Sequence, residues 1–415
     1  LHTLEQLNQG LLKGVERLQL SENLTTFPNA IFDLADSLEI LDLSNNDLSE
    51  LPAELPRLKK LRILFCSNNR FTKLPDVLGQ CPHLEMIGFK SNQINEVSSA
   101  SLPTKTRWLI LTDNQITQLP EDLGRLVRLQ KLALAGNRLT SLPDTIKDCQ
   151  KLELIRLSAN RLAAFPDVLL TLPRLAWLAF SGNPFCADRD PHNEFNTVAF
   201  KDLALHQVLG QGASGVISLA TWRQNVFNFA DTVAVKVFKG EVTSDGYPED
   251  ELDACLAVGN HPNLVKPLAK VTEQDCSALV MELIPNHYTN LGLPPSLASC
   301  TRDTFPSHLS FSIEKIAYII EQVEQLVTYF CAKKVSHGDL YAHNTLIDDQ
   351  GHVLFGDFGA ASKYANLTAQ QQRGIEQIER RALGFFIDDI LGLCAEEERN
   401  SKLFEVLSSH AFVSV

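Results

Sequence analysis

Leucines return along the first half of the chain with a period close to 23 residues. The frame L-x-x-L-x-L-x-x-N is plain in Leu38-Glu39-Ile40-Leu41-Asp42-Leu43-Ser44-Asn45-Asn46. Its asparagines fall at Asn23, Asn46, Asn69, Asn92, Asn114, Asn137, Asn160 and Asn183, in steps of 23 with one step of 22 between Asn92 and Asn114. Alternating leucines predict one short, half-buried strand per repeat. A unit that cannot bury its apolar face alone must stack on its neighbours, so the pattern predicts a solenoid. Each Asn amide is expected to satisfy backbone groups where the chain bends. Leu-Pro or Phe-Pro follows in most repeats, from Leu51-Pro52 to Phe165-Pro166. Repeat four departs: Ser98-Ser99-Ala100-Ser101 replaces that turn, and Thr106 stands where a leucine is expected.

Beyond residue 200 the periodicity changes. Apolar stretches at 203–209 and 217–220 read as strands flanking Gly210-Gln211-Gly212-Ala213-Ser214-Gly215. Residues 233–238 read as a third strand in which Lys236 sits among β-branched neighbours. Ile313, Ile316, Ile320, Val323, Val327 and Phe330 recur at helical spacing and predict a core helix. Residues 286–310, rich in Pro, Ser and Thr, read as an irregular insertion near the mouth of a cleft.

The candidate chemistry lies in this second half. His337-Gly338-Asp339 runs to Asn344, and Asp357-Phe358-Gly359 follows thirteen residues later. An Asp able to take a hydroxyl proton, an Asn five residues on and a further Asp after a short hairpin are the parts phosphoryl transfer requires. The glycine-rich turn joins two strands, so its backbone is free to lie over phosphates. A Lys embedded in a buried strand needs an anionic partner. Glu251, opening a helical segment that ends before His261-Pro262-Asn263, is a candidate.

In this order, the glycine loop, Val233-Ala234-Val235-Lys236, Glu251, His-Pro-Asn, Leu279-Val280-Met281-Glu282-Leu283, the His-Gly-Asp loop and Asp-Phe-Gly resemble a protein kinase domain. The first half resembles a leucine-rich repeat domain, and the whole is similar to bacterial proteins that join these modules in this order. The resemblance implies an α/β horseshoe of about eight repeats over residues 1–190. After it comes an α+β bilobal kinase-like fold with a shortened C-lobe over residues 200–415. It also implies ATP and Mg2+ as cofactors. Asp339 would be the catalytic base, and Lys236 would bind phosphates and pair with Glu251. Asn344 and Asp357 would be the metal ligands. The nucleotide would meet Leu209, Gly210, Gly212, Gly215, Ile217, Ala234, Met281 as gatekeeper, Glu282, Leu283 and Leu346.

Three departures bear on the expected function. Gly338 replaces the Arg that in many kinases gathers a phosphorylated activation loop, so activity without loop phosphorylation is expected. Tyr341 replaces the Lys that Ser/Thr kinases place two residues after the base, and His343 is a polar residue nearby. Glu379-Arg380-Arg381-Ala382-Leu383-Gly384 matches the family's Asp-x-Trp-x-x-Gly, leaving about twenty residues of activation segment and no Ala-Pro-Glu. Ser362, Tyr364 and Thr368 are candidate autophosphorylation sites.

In the repeats, Ile40, Ile63, Phe65, Met86, Trp108 and Ile110 form an apolar block expected on the concave face, where a protein or peptide would dock. The alternative is that the block packs on the chain's own kinase lobe. The short join between Asn183 and Gly210 has no flexible spacer, so the two halves are expected to touch.

Composition adds little beyond this. A net charge of −13 and the absence of a basic, aromatic-interleaved run argue against nucleic acid. Nine scattered cysteines without a C-x-x-C pair fit a reducing compartment. No apolar run approaches the roughly 18 residues of a membrane span, and residues 1–14 lack a secretory core. A cytoplasmic protein without membrane contact is expected, although a chain starting at Leu1 leaves an upstream targeting segment open. The expected function is a Ser/Thr protein kinase with partner-binding repeats. A pseudokinase scaffold and a small-molecule phosphotransferase stand as alternatives.

Overall fold

The computed structural model describes residues 2–186, 195–212, 214–239, 242–243, 245–273 and 276–413. The glycine-loop residue Ala213 and the joining residues 187–194 lie outside the described residues. The chain divides into two compact units: Leu1–Leu175 with Asn183–Phe185, and Ala176–Gly182 with Cys186–Val415. Thus Ala176–Gly182, which continues the repeat frame in sequence, is part of the second unit.

In the first unit, helix α1 (Leu4–Asn8) carries a capping box from Thr3 and Gln6 and precedes seven three-residue strands. These are β1 (Arg17–Gln19), β2 (Ile40–Asp42), β3 (Ile63–Phe65), β4 (Met86–Gly88), β5 (Trp108–Ile110), β6 (Lys131–Ala133) and β7 (Leu154–Arg156). They pair in parallel with no register shift, so Leu18, Leu41, Leu64, Ile87, Leu109, Leu132 and Ile155 stack in one buried column. The return side of several repeats is a 3-10 turn with Pro75, Pro143 or Pro166 as its N-cap. Proline's fixed φ presets the turn's start, which gives the Leu-Pro motif its reason.

Asparagine amides knit the turns together. Asn69 Oδ1 accepts from Leu48 N–H (2.9 Å) while its Nδ2 donates to the carbonyls of Leu43 (2.9 Å) and Cys66 (3.1 Å). Asn46, Asn92, Asn114, Asn137 and Asn160 repeat this pattern. Asn23 stands outside it: exposed at the first turn, it adopts the left-handed conformation itself (φ 55°). In repeat four Ser98 caps a short 3-10 turn (Ser99–Ser101), and the buried Thr106 donates its hydroxyl to Pro103 O at 2.6 Å. The repeat is preserved by polar substitutes for its apolar pegs.

The second unit opens with β8 (Trp177–Ala179). A five-stranded antiparallel sheet then forms from β9 (Leu203–Gln211), β10 (Gly215–Trp222), β11 (Thr232–Phe238), β12 (Pro267–Glu273) and β13 (Cys276–Glu282), in the order β12-β13-β11-β10-β9. Helix α2 (Pro248–Val258), with Pro at its first turn beside three acidic residues, packs near β13.

Below the sheet runs α3 (Ile313–Lys333), capped by Ser312 and stopped by Lys334 in the left-handed conformation. The six apolar residues expected at helical spacing are all buried on its inner face. Short strands β14 (Thr289–Asn290), β16 (Thr345–Ile347) and β17 (Val353–Phe355) form one small sheet, and β15 (Val335–Ser336) pairs with β18 (Ser362–Lys363). Helices α4 (Ala369–Leu391) and α5 (Lys402–Val413) complete the unit. Because α4 starts at Ala369, the stretch between Gly359 and that helix is residues 360–368. The roughly twenty residues expected between Gly359 and Glu379 therefore divide into this stretch and the first turns of α4, which Thr368 and Gln371 start with a capping box.

Candidate active site

Antiparallel pairing sets the upper wall. Lys236 on β11 lies opposite Ile217 on β10 and Leu279 on β13, and Ala234 lies opposite Met281. Lys236 is 6% exposed, and its Nζ forms an ion pair with Glu251 Oε1 on α2. The same ammonium is 3.8 Å from Asp357 Oδ1. Burial alone would lower the Lys236 pKa, but Glu251 and Asp357 outweigh it and hold the ammonium above its ordinary value. For Glu251 burial wins: its carboxyl is pushed up to about 7, although Lys236 opposes the shift. Asp357 goes the other way. Desolvation raises it, yet the Lys236 charge and the Gly359 N–H (3.1 Å) hold it below the usual carboxylate value.

The lower wall is a hydrogen-bonded loop. Asn344 Nδ2 donates to Asp339 Oδ2 at 2.9 Å and to Asp339 O at 3.1 Å. The loop hangs from Glu379 on α4, a carboxylate only 2% exposed that accepts from His337 N–H (3.0 Å) and Gly338 N–H (3.1 Å). Its oxygens fix the residues just before Asp339, a role that sequence reading did not assign to Glu379. His337 is buried among Phe330, Phe355 and Phe358, with ring centroids 5.5 to 5.8 Å away. Asn263 of His-Pro-Asn ties β17 to α3 by donating to Val353 O and Gln322 Oε1, both at 2.9 Å.

Gly338 has a steric cause. Its φ is 70°, and a Cβ there would stand 2.6 Å from Ala360 O and 2.7 Å from Leu178 O. No side chain fits, so the usual Arg is excluded by packing.

The expected nucleotide-contacting residues divide by exposure. Ala234 and Met281 are buried, Ile217, Leu283 and Leu346 are half-buried, and Leu209 is exposed. A Cβ on Gly210 or Gly212 would meet nothing within 4 Å, whereas on Gly215 it would strike Val237 O at 2.5 Å. Two of the glycines therefore present bare backbone, and the third lets β10 and β11 approach. The Glu282 N–H already donates to Lys266 O at 3.0 Å, so only its carbonyl can serve a nucleotide edge.

Sequence reading missed two contributors. Asp303, in the insertion, accepts from His343 N–H at 3.2 Å and lies 2.6 Å from His343 Nδ1, so His343 is anchored rather than solvated. Trp177 donates from Nε1 to Leu340 O at 3.1 Å. Neither has a local motif; each is recruited from distant sequence. The candidate autophosphorylation residues Ser362 and Tyr364 are fully buried, and Thr368 caps α4.

In the first unit the apolar block is smaller than expected. Met86 and Ile63 are 1% and 5% exposed, which leaves Ile40, Phe65, Trp108 and Ile110 partly accessible. Lys131 Nζ sits 4.4 Å over the Trp108 ring. Among the described residues no helix is long and apolar enough to cross a membrane.

Comparison with known proteins agrees with both halves. The family described as protein tyrosine and serine/threonine kinase matches residues 203–382, and leucine rich repeat matches residues 36–94, 104–162 and 127–185. Fibroblast growth factor receptor 1 of Xenopus laevis is 25% identical over 173 residues, 40% of this chain and 21% of that protein. Serine/threonine-protein kinase 1 of Arabidopsis thaliana is 28% identical over 160 residues, 37% of this chain and 17% of that protein. Tyrosine-protein kinase ABL2 of Mus musculus is 29% identical over 158 residues, 38% of this chain and 12% of that protein. The chain thus spans about a fifth or less of the length of these curated relatives. Among solved structures, an LRR protein of Leptospira interrogans is 30% identical, covering 40% of this chain and 49% of that one, with a TM-score of 0.38. The chain therefore joins N-terminal leucine-rich repeats to a C-terminal protein kinase domain.

Proposed function

We propose that the second unit is an active protein kinase that transfers the γ-phosphate of ATP to Ser or Thr hydroxyls, and that the repeats bind a protein partner. The observation that carries this reading is the intact Lys236–Glu251 pair with Asp357 beside it, together with an Asp339 oriented by Asn344. A pseudokinase scaffold has no need to keep a buried ion pair, which costs desolvation.

The donor set fits magnesium. Asp357 is held anionic with its side chain 53% exposed, and Asn344 turns its Nδ2 to Asp339, leaving Oδ1 for a cation. Two protein oxygens beside a triphosphate are what magnesium favours over an all-protein cage. When bound, the metal neutralises charge developing on the phosphate oxygens. The protein's own part is positional: Lys236 holds phosphate oxygens, and Asp339 accepts the acceptor's hydroxyl proton as the new P–O bond forms and ADP leaves. Nine cysteines with no disulfide among them support a reducing, cytoplasmic setting.

The test is labelled ATP and Mg2+ with generic protein substrates, beside Asp339→Asn. Label on phosphoserine or phosphothreonine that vanishes in the variant is expected. Label confined to tyrosine would overturn the acceptor assignment, and label that persists in the variant would overturn the mechanism. For the repeats, Phe65→Ala with Trp108→Ala should abolish partner capture; capture at wild-type strength would remove the concave face from the proposal.

A further inference from the structure

With Gly338 in place of an Arg, something other than a phosphorylated loop must hold the catalytic loop. We infer that Trp177 is a positioning residue that does so alongside Glu379, an inference that rests on the kinase reading above.

Trp177 is 1% exposed. Its indole stacks on Tyr341 (4.5 Å, 10°) and on Phe385 of α4 (5.3 Å, 19°). Its Nε1–H reaches Leu340 O, on the residue that follows Asp339. Tyr341 in turn meets the tilted ring of His343 at 4.9 Å (36°). Consecutive residues of the insertion close this series of rings at both ends: Asp303 binds His343, and the Arg302 guanidinium lies 4.8 Å over Phe385 while pairing with Asp388 and Asp389. Such aromatic pairs contribute about 0.5–1.5 kcal/mol each beyond their burial.

The residues that follow this strand reach the activation segment. Phe180 N–H and Ser181 N–H both donate to Ser362 Oγ, at 2.9 and 3.1 Å. Next in sequence, Lys363 pairs with Asp253 at 2.5 Å, two residues beyond Glu251 on α2. Residues 177–181 thus tie the catalytic loop, the activation segment and the helix bearing Glu251 into one network. A phosphate on Ser362 has no room, since that hydroxyl is buried and already accepts two N–H bonds. The network occupies the role that Arg and phosphate fill elsewhere, and competence is built into the fold.

The test uses the full chain. Trp177→Phe keeps a ring and removes one hydrogen bond; Trp177→Ala removes the stack. Amide exchange over residues 337–344 should rise about tenfold in the Phe variant, the scale of one lost hydrogen bond, and more in the Ala variant. The turnover kcat should fall about tenfold in Trp177→Phe with KM for ATP within about twofold, and phosphatase-treated wild type should keep its rate. Unchanged exchange over 337–344 in a folded Trp177→Phe overturns the inference, as does loss of activity on phosphatase treatment. Should the wild type transfer no phosphate at all, the kinase reading fails separately, and the exchange measurement still decides whether Trp177 positions the loop. Should Trp177→Ala fail to fold, Trp177→Phe alone decides.

Discussion

Asn344 donates its side-chain amide to Asp339 Oδ2 at 2.9 Å, so the candidate base and the candidate metal ligand orient one another. The two substitutions should nevertheless separate. Asp339→Asn is expected to lower kcat about 1,000-fold with an unchanged Mg2+ requirement, since it removes the proton acceptor. Asn344→Ala should lower kcat and also raise the Mg2+ concentration at half-maximal rate. A Mg2+ titration of both variants checks this; a shifted requirement in Asp339→Asn alone would reverse the assignment.

Glu251 sets a pH dependence. Its carboxyl is raised to about 7 by burial, so below that pH it takes a proton and its ion pair with Lys236 is lost. Activity should therefore climb as pH rises through about 7, and Glu251→Gln should be slow and lack this limb. Stability moves the opposite way. A carboxyl that binds its proton more tightly when folded contributes fully below its ordinary value near 4.5, and that contribution is lost as pH rises through about 7. Thermal melts of wild type and Glu251→Gln should converge at low pH and separate above 7, with the wild type the less stabilised by this site.

Gly338→Ala tests the steric account of the missing Arg. The new Cβ would sit 2.6 Å from Ala360 O on a backbone with φ of 70°. A loss of about 2–4 kcal/mol is expected, combining left-handed strain with overpacking. Urea unfolding measures it; a change below about 0.5 kcal/mol would show that the loop relaxes freely.

The asparagine ladder offers a test within the first unit. Asn114 accepts from Ile94 N–H (2.9 Å) and donates to the carbonyls of Phe89 (2.9 Å) and Leu111 (3.0 Å). Asn114→Ala leaves the Ile94 N–H without its acceptor and takes one of two donors from each carbonyl. Phe89 O keeps Asn92 Nδ2 (3.1 Å) and Leu111 O keeps Asn137 Nδ2 (2.9 Å), so the substitution should cost about 1–3 kcal/mol. Asn23→Gly, at the exposed left-handed position outside the ladder, should fall within about 0.5 kcal/mol. Equal losses by denaturant titration would contradict the ladder.

The solenoid was legible because its signal is local and repeated. The same leucines and asparagines meet copies of themselves one turn away, so period and pairing partner are one fact. The ordered kinase series was legible for a different reason: Asp339 and Asn344 lie five residues apart in one loop, so their residue types and spacing are written locally. Exposure was not legible. Met86 and Ile63 share the frame position of Trp108 yet are buried, because accessibility depends on what packs around a position.

From sequence alone came the repeat frame, the glycine loop, and the identities of Lys236, Glu251, Asp339, Asn344 and Asp357, since each motif is written in neighbouring residues. Only the tertiary structure decided that Ala176–Gly182 belongs with the second unit, that Asp303 holds His343, and that Trp177 stacks on both Tyr341 and Phe385. Those contacts join residues up to about two hundred positions apart. No periodicity encodes them, because they arise where separate elements bury apolar rings and backbone carbonyls together.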